Sequence, residues 1–262
     1  MKIVLFSIFI YLGSGFVSCS GNESAKDQIK ARFPQDSITP TQSATPTVDT
    51  LFIHREATKD MYHAIFIDKS DSSIFRERLC DFTFNTYDSA AYFANYKHLK
   101  KQEPEAFKAV NTTALPEHWL PVYSYQENYY LYAPSDWGNT RKRILNDSAF
   151  VYWYMDGPFP LPLKGAKQLS SGEHFIAFEN VFNNQAPASA LRIHEINATT
   201  QLSIFEFSHG SQEKEYKLFI PVKHAGQYPI IVNYCKYQKQ MEFEFDAIDF
   251  ETLLDKRFEK KI

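Results

Sequence analysis

Three runs of alternating apolar and polar residues follow one another in the second half of the chain: LRIHEI (191–196), LSIFEFS (202–208) and YKLFIPV (216–222). Alternation with a period of two is typical of a β-strand that buries one face. Short polar turns separate the runs, so neighbours in sequence should pair antiparallel. This stretch predicts an antiparallel meander, and it decides the fold class.

The same pattern extends the meander in both directions along the chain. Further strands are predicted at 79–86, 129–134, 148–155, 174–181, 229–235 and 241–246. Asp156-Gly157 is a hairpin-turn signal, and the prolines in 158–162 predict an edge or a loop. A mainly β protein is expected, in which the antiparallel meander forms a barrel or a two-layer sandwich, since closure protects the sheet edges.

Two helical regions are predicted beside the strands. Asp88 is a suitable N-cap for a helix over 89–102, and Pro104 suits the first turn of a helix over 105–110. The C-terminal residues 250–262 place apolar side chains on one helical stripe, with basic residues at the end. We therefore expect helices near 88–110 and at the C-terminus, packed on the sheet.

The N-terminus has the layout of an export signal. Met1 and Lys2 are followed by a ten-residue apolar run (3–12), which Gly13, Ser14 and Gly15 interrupt. A run of this length is too short to span a bilayer and is typical of a secretory signal peptide. Residues 1–18 are expected to be that signal peptide.

Phe16-Val17-Ser18-Cys19 resembles the lipobox of bacterial lipoproteins. The resemblance implies cleavage before Cys19 and acylation of that cysteine with diacylglycerol and a fatty acid, such as palmitate. It implies an outer-membrane lipoprotein on the periplasmic or the surface face, with the membrane as a partner through the lipid. The alternative is ordinary signal-peptidase cleavage, which would release a free secreted protein.

The segment behind Cys19 is polar. Residues 19–50 contain few large apolar side chains and many Ser, Thr, Pro and Gln, so a lipidated, disordered tether is predicted there. Asp36-Ser37-Ile38 and Asp49-Thr50-Leu51 resemble the O-glycosylation motif of the Bacteroidetes, which implies a lipoprotein of that type. Residues 51–262 are expected to form a single β-rich domain.

The chain contains three cysteines, an odd number for an exported protein. Lipidation of Cys19 would leave Cys80 and Cys235, which could form a disulfide in an oxidising periplasm. The alternative is two buried thiols, because Cys80 shares its alternation with Phe82 and Phe84.

Composition and motifs exclude several function classes. The net charge of −3 and the lack of a basic stripe predict no nucleic-acid partner. Catalytic residues, metal ligands and cofactors are not predicted, because the sequence lacks Gly-x-Ser-x-Gly, His-Glu-x-x-His, phosphate-loop and Cys-x-x-Cys motifs. Four histidines at hairpin spacing could meet as a metal site, but isolated histidines bonded to water or backbone are favoured: His174, His194, His209 and His224.

The most distinctive segment is WLPVYSYQENYYLYAPSDWGN (119–139). An extended conformation places alternate rings on one side of each strand, so these aromatics form a candidate binding platform for a sugar, a peptide or a lipid tail. Its members are Trp119, Tyr123, Tyr125, Tyr130, Tyr132 and Trp137. The alternative is a hairpin whose rings pack into the core.

The leading hypothesis is a membrane-anchored, exported lipoprotein whose β domain binds an unidentified ligand or protein partner without catalysis. A carboxylate-dependent hydrolase in the periplasm is an alternative, favoured by two inward carboxylates in one pocket. A structural or immunity-type role in protein contact is another, favoured by a flat exposed apolar patch.

Overall fold

The computed structural model describes residues 50–58, 61–179, 188–209, 213–236 and 239–259. All of them belong to one unit of the chain, Pro46–Ile262. The predicted signal peptide, Cys19 and the predicted tether up to residue 49 lie outside the described residues.

Twelve described strands form one sheet, and eight of them close into an antiparallel barrel. The order around the barrel is β3-β11-β10-β9-β8-β7-β6-β5, and the pairing of β5 with β3 closes it. Of the two predicted architectures, the barrel is therefore confirmed. The strands are β1 (Thr50–Ala57), β2 (Tyr62–Asp68), β3 (His118–Tyr125), β4 (Asn128–Ala133), β5 (Arg143–Leu145), β6 (Ala149–Tyr154), β7 (Gly157–Ser170), β8 (Glu173–Phe178), β9 (Ala190–Asn197), β10 (Leu202–His209), β11 (Glu213–Pro221) and β12 (Ile230–Cys235).

From β5 to β11 the barrel is the predicted meander, in which each strand pairs with the next. The runs at 148–155, 174–181, 191–196, 202–208 and 216–222 became β6, β8, β9, β10 and β11. Their alternation has the expected cause, since Phe205 and Phe207 of β10 point into the barrel with Ile193 of β9. Ile204, which precedes Phe205 on the opposite face of β10, points outward into a second cluster.

The remaining four strands extend the sheet beyond β3. β4 pairs with β3, β12 lies parallel to β4, and β2 and β1 follow. The expectation that all neighbouring strands pair is wrong for β11 and β12. Pro221 ends β11, and the chain then forms a 3-10 helix, Val222–Gln227, instead of a hairpin turn.

Three helices are described: α1 (Ile74–Cys80), α2 (Thr86–Gln102) and α3 (Phe250–Glu259). The N-cap of α2 is Asn85, and Asp88 completes its capping box from the third helical position. The predicted helix over 105–110 is wrong, because Phe107 has a φ of 66°, which an α-helix does not accept. None of the helices in the described part of the chain has the length and apolar character that crossing a bilayer requires.

The predicted strands at 79–86 and 241–246 are also wrong. Residues 79–80 end α1, and Phe82 and Phe84 project from an irregular segment onto the ring of Trp153. Residues 241–246 make a single bridge to the sheet, between Asp246 and Ser124. In both segments the alternation reflects which side chains are buried, but the backbone does not form the continuous hydrogen-bonded pairing of a β-strand.

The prolines of β7 lie inside a long strand, although an edge or loop was predicted. Pro158, Pro160 and Pro162 alternate with residues that face the barrel interior. The first half of β7 pairs with β6, and β8 joins only from Leu163 onward. The missing proline N–H groups therefore face the side on which no strand of the described residues pairs with this half of β7.

Large side chains fill the barrel interior. Trp119, Phe150, Phe205, Phe207 and Phe219 are each at most 2% exposed and belong to one cluster. A barrel of eight strands is narrow enough for side chains to occupy it completely. Contact with a ligand is therefore expected at the ends of the barrel.

Candidate ligand-binding cleft

A cleft of about 400 Å³ lies at the end of the barrel where β3 begins and β11 ends. Residues 113–118 form one wall, residues 221–223 form the other, and Gln201 lies between them. The volume falls within the range of roughly 300–1,000 Å³ that small-molecule sites occupy. The cleft is therefore large enough for a small ligand or a short segment of a partner.

Hydrogen bonds hold the first wall in place. The indole Nε1 of Trp119 donates to the carbonyl oxygen of Pro116 at 2.7 Å, and the amide of Leu145 donates to the carbonyl oxygen of Glu117 at 2.7 Å. Because Trp119 is buried in the barrel, these bonds connect the wall to the core. The cleft is thus formed before any ligand arrives, which lowers the entropic cost of binding.

Gln201 comes from the turn between β9 and β10. The side-chain oxygen of Asn197 accepts hydrogen bonds from the amides of Thr199 and Thr200, which shapes this turn, and Gln201 takes a left-handed φ of 52°. Its Oε1 atom is buried and has no hydrogen-bond partner within the described residues. An acceptor without a donor is unfavourable when buried, so an N–H or O–H group of a ligand would gain a strong contact there.

A second cavity of about 30 Å³ continues from the cleft into the mouth of the barrel. Trp119 and Ile193 lie at its apolar side, and its polar side is formed by His174, Glu195 and Ser203. Glu195 and Ser203 are direct partners in the pairing of β9 with β10. The space fits about one or two water molecules beside several polar groups.

The polar residues of this cavity are not arranged for nucleophilic catalysis. The Oγ of Ser203 donates to the carbonyl oxygen of Gln201 at 2.9 Å, so this hydroxyl is not held by His174. Burial lowers the pKa of His174, and the charge of Glu195 only partly opposes that shift. His174 is therefore neutral near pH 7 and can both donate and accept a hydrogen bond.

Two inward carboxylates in one pocket would favour the hydrolase alternative. Among the described residues that line the smaller cavity, Glu195 is the one carboxylate, and Glu117 lies exposed in the wall of the cleft. The arrangement supplies polar contacts and a fixed shape, which are the requirements of binding.

The structure brings the predicted tyrosines together but covers them with the chain itself. Tyr123 and Tyr130 are direct partners in the pairing of β3 with β4. Phe245 stacks on Tyr123 with ring centroids 4.4 Å apart, and Phe243 lies 5.1 Å from Tyr125. The hairpin therefore packs as the alternative predicted.

The other members of the predicted platform lie elsewhere or are buried. Trp119 points into the barrel, and Tyr132 is 6% exposed, with its hydroxyl bonded to Glu242. Trp137 is half-buried in a 3-10 helix, where the guanidinium of Arg78 lies 4.1 Å from its ring centroid. Tyr130 and Tyr132 consequently offer no free face to a ligand, and Trp119 contributes only to the lining of the small cavity.

Cys80 and Cys235 are both free thiols. Burial raises the pKa of each thiol, so neither is a reactive thiolate near pH 7. The predicted disulfide is not formed in the structure, and both thiols are half-buried, whereas the alternative was two buried thiols. The lipidation predicted at Cys19 concerns a residue outside the described residues.

The four histidines at hairpin spacing do not meet at one site. His174 lines the small cavity, whereas His194 lies on the outer face of β9 with its Nε2 3.1 Å from Glu206 Oε2. His224 lies in the 3-10 helix that follows β11, and His209 ends β10. The described parts of the chain contain no cluster of three His, Cys, Asp or Glu residues that could hold a metal ion.

Little in the sequence indicates this cleft. Gln201 is one polar residue in a turn, and residues 113–117 carry no motif. Both reach the site through strand register, since the β9–β10 turn and the start of β3 meet at one end of the barrel. The polar turn after residue 196 is the one local feature of the sequence that indicates the position of the cleft.

No protein-family model, no curated protein and no solved structure matches this chain. The function is therefore argued from the geometry of the cleft and from the N-terminal sequence.

Proposed function

We propose that this chain is an exported lipoprotein, anchored to the outer membrane through Cys19, whose β-barrel domain binds a small ligand or a partner segment without catalysis. The binding site is the cleft between residues 113–118 and 221–223. The lipid would act as the anchor, and residues 20–50 would serve as a tether between it and the barrel.

One observation carries the binding role: a cleft of ligand size is lined by Gln201, whose Oε1 is buried and has no hydrogen-bond partner within the described residues. Leu115, Pro116 and Val222 form the apolar part of the same lining. A hydrogen bond in such surroundings contributes more to affinity than it would in open solvent. The ligand that fits best has a donor group next to an apolar portion.

The anchoring role rests on the N-terminal sequence. A signal peptide, a lipobox-like run and a polar segment follow one another in the order that a tethered lipoprotein requires. A tether of about 30 residues in an extended conformation reaches up to roughly 90 Å from the membrane. The cleft would then be open to soluble molecules in the same compartment.

Native mass spectrometry of the full chain, purified without denaturation from the cells that produce it, tests the binding role. We expect an added mass on the wild type that is lost in Ala114→Trp, because the new indole fills the cleft. Ala90→Trp, at an exposed position of α2, is the matched control and should keep the added mass. An added mass that survives in Ala114→Trp, or its absence from the wild type, would contradict the proposal.

A further inference from the structure

The opposite end of the barrel carries charged side chains on its inner surface. Phe219 of β11 belongs to the barrel core, and residues two and four positions earlier share its face. These residues are Lys217 and Glu215, which therefore point toward the interior at the end where β11 begins. This mouth lies across the filled interior from the ligand cleft.

Arg143 of β5 is the most deeply buried charge at this mouth. It is 3% exposed, and its guanidinium carbon lies 4.6 Å from the ring centroid of Tyr152. Its Nη1 donates to the carbonyl oxygens of Arg141 and Lys142, each at 2.8 Å. Its Nε is buried and has no hydrogen-bond partner in the described ranges. Burying a charged donor without an acceptor costs free energy, so a bound acceptor would relieve that cost at Arg143 Nε.

Positive charge exceeds negative charge around Arg143. Arg141 and Lys217 are further cations, and burial together with the charges of Arg143 and Arg141 lowers the pKa of Lys217. The one inward carboxylate among these residues, Glu215, is already engaged. Its Oε1 lies 2.6 Å from Lys217 Nζ, and its Oε2 lies 3.6 Å from His209 Nε2. A bound anion would reduce this excess of positive charge.

Three phenol groups add neutral donors to the mouth. Burial raises the pKa of Tyr123, Tyr152 and Tyr154, so all three stay protonated. Within the described residues, none of these hydroxyls makes a hydrogen bond. Glu242, whose charge contributes to the raised pKa of Tyr123, already accepts a hydrogen bond from Tyr132 at 2.5 Å.

We propose that this second mouth of the barrel binds an oxyanion, a phosphate or a carboxylate group, through Arg143 and Lys217 with the tyrosine hydroxyls as additional donors. A guanidinium presents its donors in a planar fork that matches these anions, and charge-assisted hydrogen bonds are the strong ones. The oxyanion would be either a free ion or the end group of a larger molecule.

Thermal unfolding of the full chain in sodium phosphate, with ionic strength held constant by sodium chloride, tests this site. Phosphate should raise the unfolding midpoint of the wild type in a saturable manner, because a ligand that binds only the folded state stabilises it. Lys217→Met should weaken the apparent phosphate affinity about tenfold or more, which is the effect expected for a lost charge-assisted bond. Arg143→Gln should weaken it further if the variant folds. Lys164→Met, at an exposed position of β7, should bind as the wild type does.

Two comparisons identify the source of the anion. Tighter binding of phenyl phosphate than of inorganic phosphate supports the end group of a larger molecule, and equal or weaker binding supports a free ion. Thermal unfolding in sodium acetate, measured in the same way, tests whether the site binds a carboxylate. The proposal is overturned if phosphate and acetate act no differently from chloride, or if Lys217→Met responds as the wild type does. Ala114→Trp should leave the phosphate response intact, so that failure at this mouth and failure at the cleft remain distinguishable.

Discussion

The ammonium group of Lys142 lies 3.1 Å from the carbonyl oxygen of Arg78, in the last turn of α1. The same Nζ donates to the carbonyl oxygen of Asp81 at 2.5 Å, and it lies 5.1 Å from the ring centroid of Phe82. Lys142 is 6% exposed. A cation at the C-terminus of a helix satisfies carbonyls that the helix itself leaves unpaired. Lys142 therefore attaches α1 to β5, the barrel strand that begins at the next residue.

This contact predicts a pH dependence of stability. Burial lowers the pKa of Lys142 to about 8, from an ordinary value of 10.5. Between these values the unfolded chain holds more protons at this residue than the folded chain does, so raising the pH favours folding. The free energy of unfolding of the wild type, relative to Lys142→Met, should rise between pH 8 and 10.5 by up to about 1.4 kcal/mol per pH unit.

Urea unfolding at several pH values from 7 to 10.5 measures this difference. Below pH 8 the difference between wild type and Lys142→Met should be nearly constant. Lys164→Met is the exposed control and should show no such rise. A difference that stays flat up to pH 10.5 would show that Lys142 titrates normally.

The hydroxyl of Tyr132 predicts a second effect on stability. It donates to Glu242 Oε2, and it accepts hydrogen bonds from the amide of Phe243 at 2.9 Å and from Asn233 Nδ2 at 3.1 Å. Tyr132→Phe removes all three contacts and leaves buried polar groups without a partner. The free energy of unfolding should fall by about 1–3 kcal/mol.

Chemical denaturation measures that loss, and hydrogen exchange at the Phe243 amide reports it locally. Tyr129→Phe is the matched control, because no hydrogen bond of the Tyr129 hydroxyl is found within the described residues. The control should change stability by less than about 0.5 kcal/mol. Equal effects of the two variants would refute the role given to the Tyr132 hydroxyl.

Two glycines of β7 should respond oppositely to substitution. Gly157 has a φ of 100°, and a Cβ atom there would lie 2.7 Å from the Cβ of Ala91. Gly157→Ala should therefore destabilise the protein by about 1–3 kcal/mol or more. A Cβ at Gly165 meets nothing within 4 Å, so Gly165→Ala should be neutral or slightly stabilising. Denaturation curves of both variants decide this, and a neutral Gly157→Ala would contradict the packing of α2 against the β6–β7 turn.

Replacing Cys19 tests the anchoring role. Cys19→Ala should move the protein from the membrane fraction to the soluble fraction and remove the acyl mass from its N-terminus. Cys80→Ala is the control and should stay in the membrane fraction, since Cys80 is a half-buried thiol within the domain. A wild type that is already soluble and carries no acyl groups would refute the anchor.

The sequence correctly predicted the antiparallel meander in the segments where apolar alternation and strand pairing coincide, and it left a barrel and a two-layer sandwich open. In β9, β10 and β11 one face enters the barrel core, so the period of two was read correctly. At Phe243 and Phe245 the same alternation arises because both rings pack on tyrosines, although the segment has almost no ladder pairing. Alternation alone indicates that one face of a segment is buried, and it does not distinguish a paired strand from an extended segment without strand pairing.

The candidate sites were much less predictable. Gln201 and Arg143 matter because Gln201 Oε1 and Arg143 Nε are buried and have no hydrogen-bond partner among the described residues. Whether a single atom is buried depends on tertiary packing, which local sequence does not reveal. Arg143 reads in the sequence as one of several basic residues at 141–143, which would ordinarily be solvated. Register places it opposite Tyr152, inside the barrel. The aromatic segment 119–139 is conspicuous in the sequence, yet Phe243 and Phe245 cover two of its tyrosines.

Amide chemical-shift mapping of the full chain with a fragment library tests the claim that the cleft beside Gln201 binds a ligand. We predict that fragments with an N–H or O–H donor shift the amides of residues 113–118, Gln201 and Lys223, and that Ala114→Trp abolishes these shifts while Ala90→Trp does not. Shifts confined to other surfaces, or shifts at the cleft that persist in Ala114→Trp, would contradict the claim.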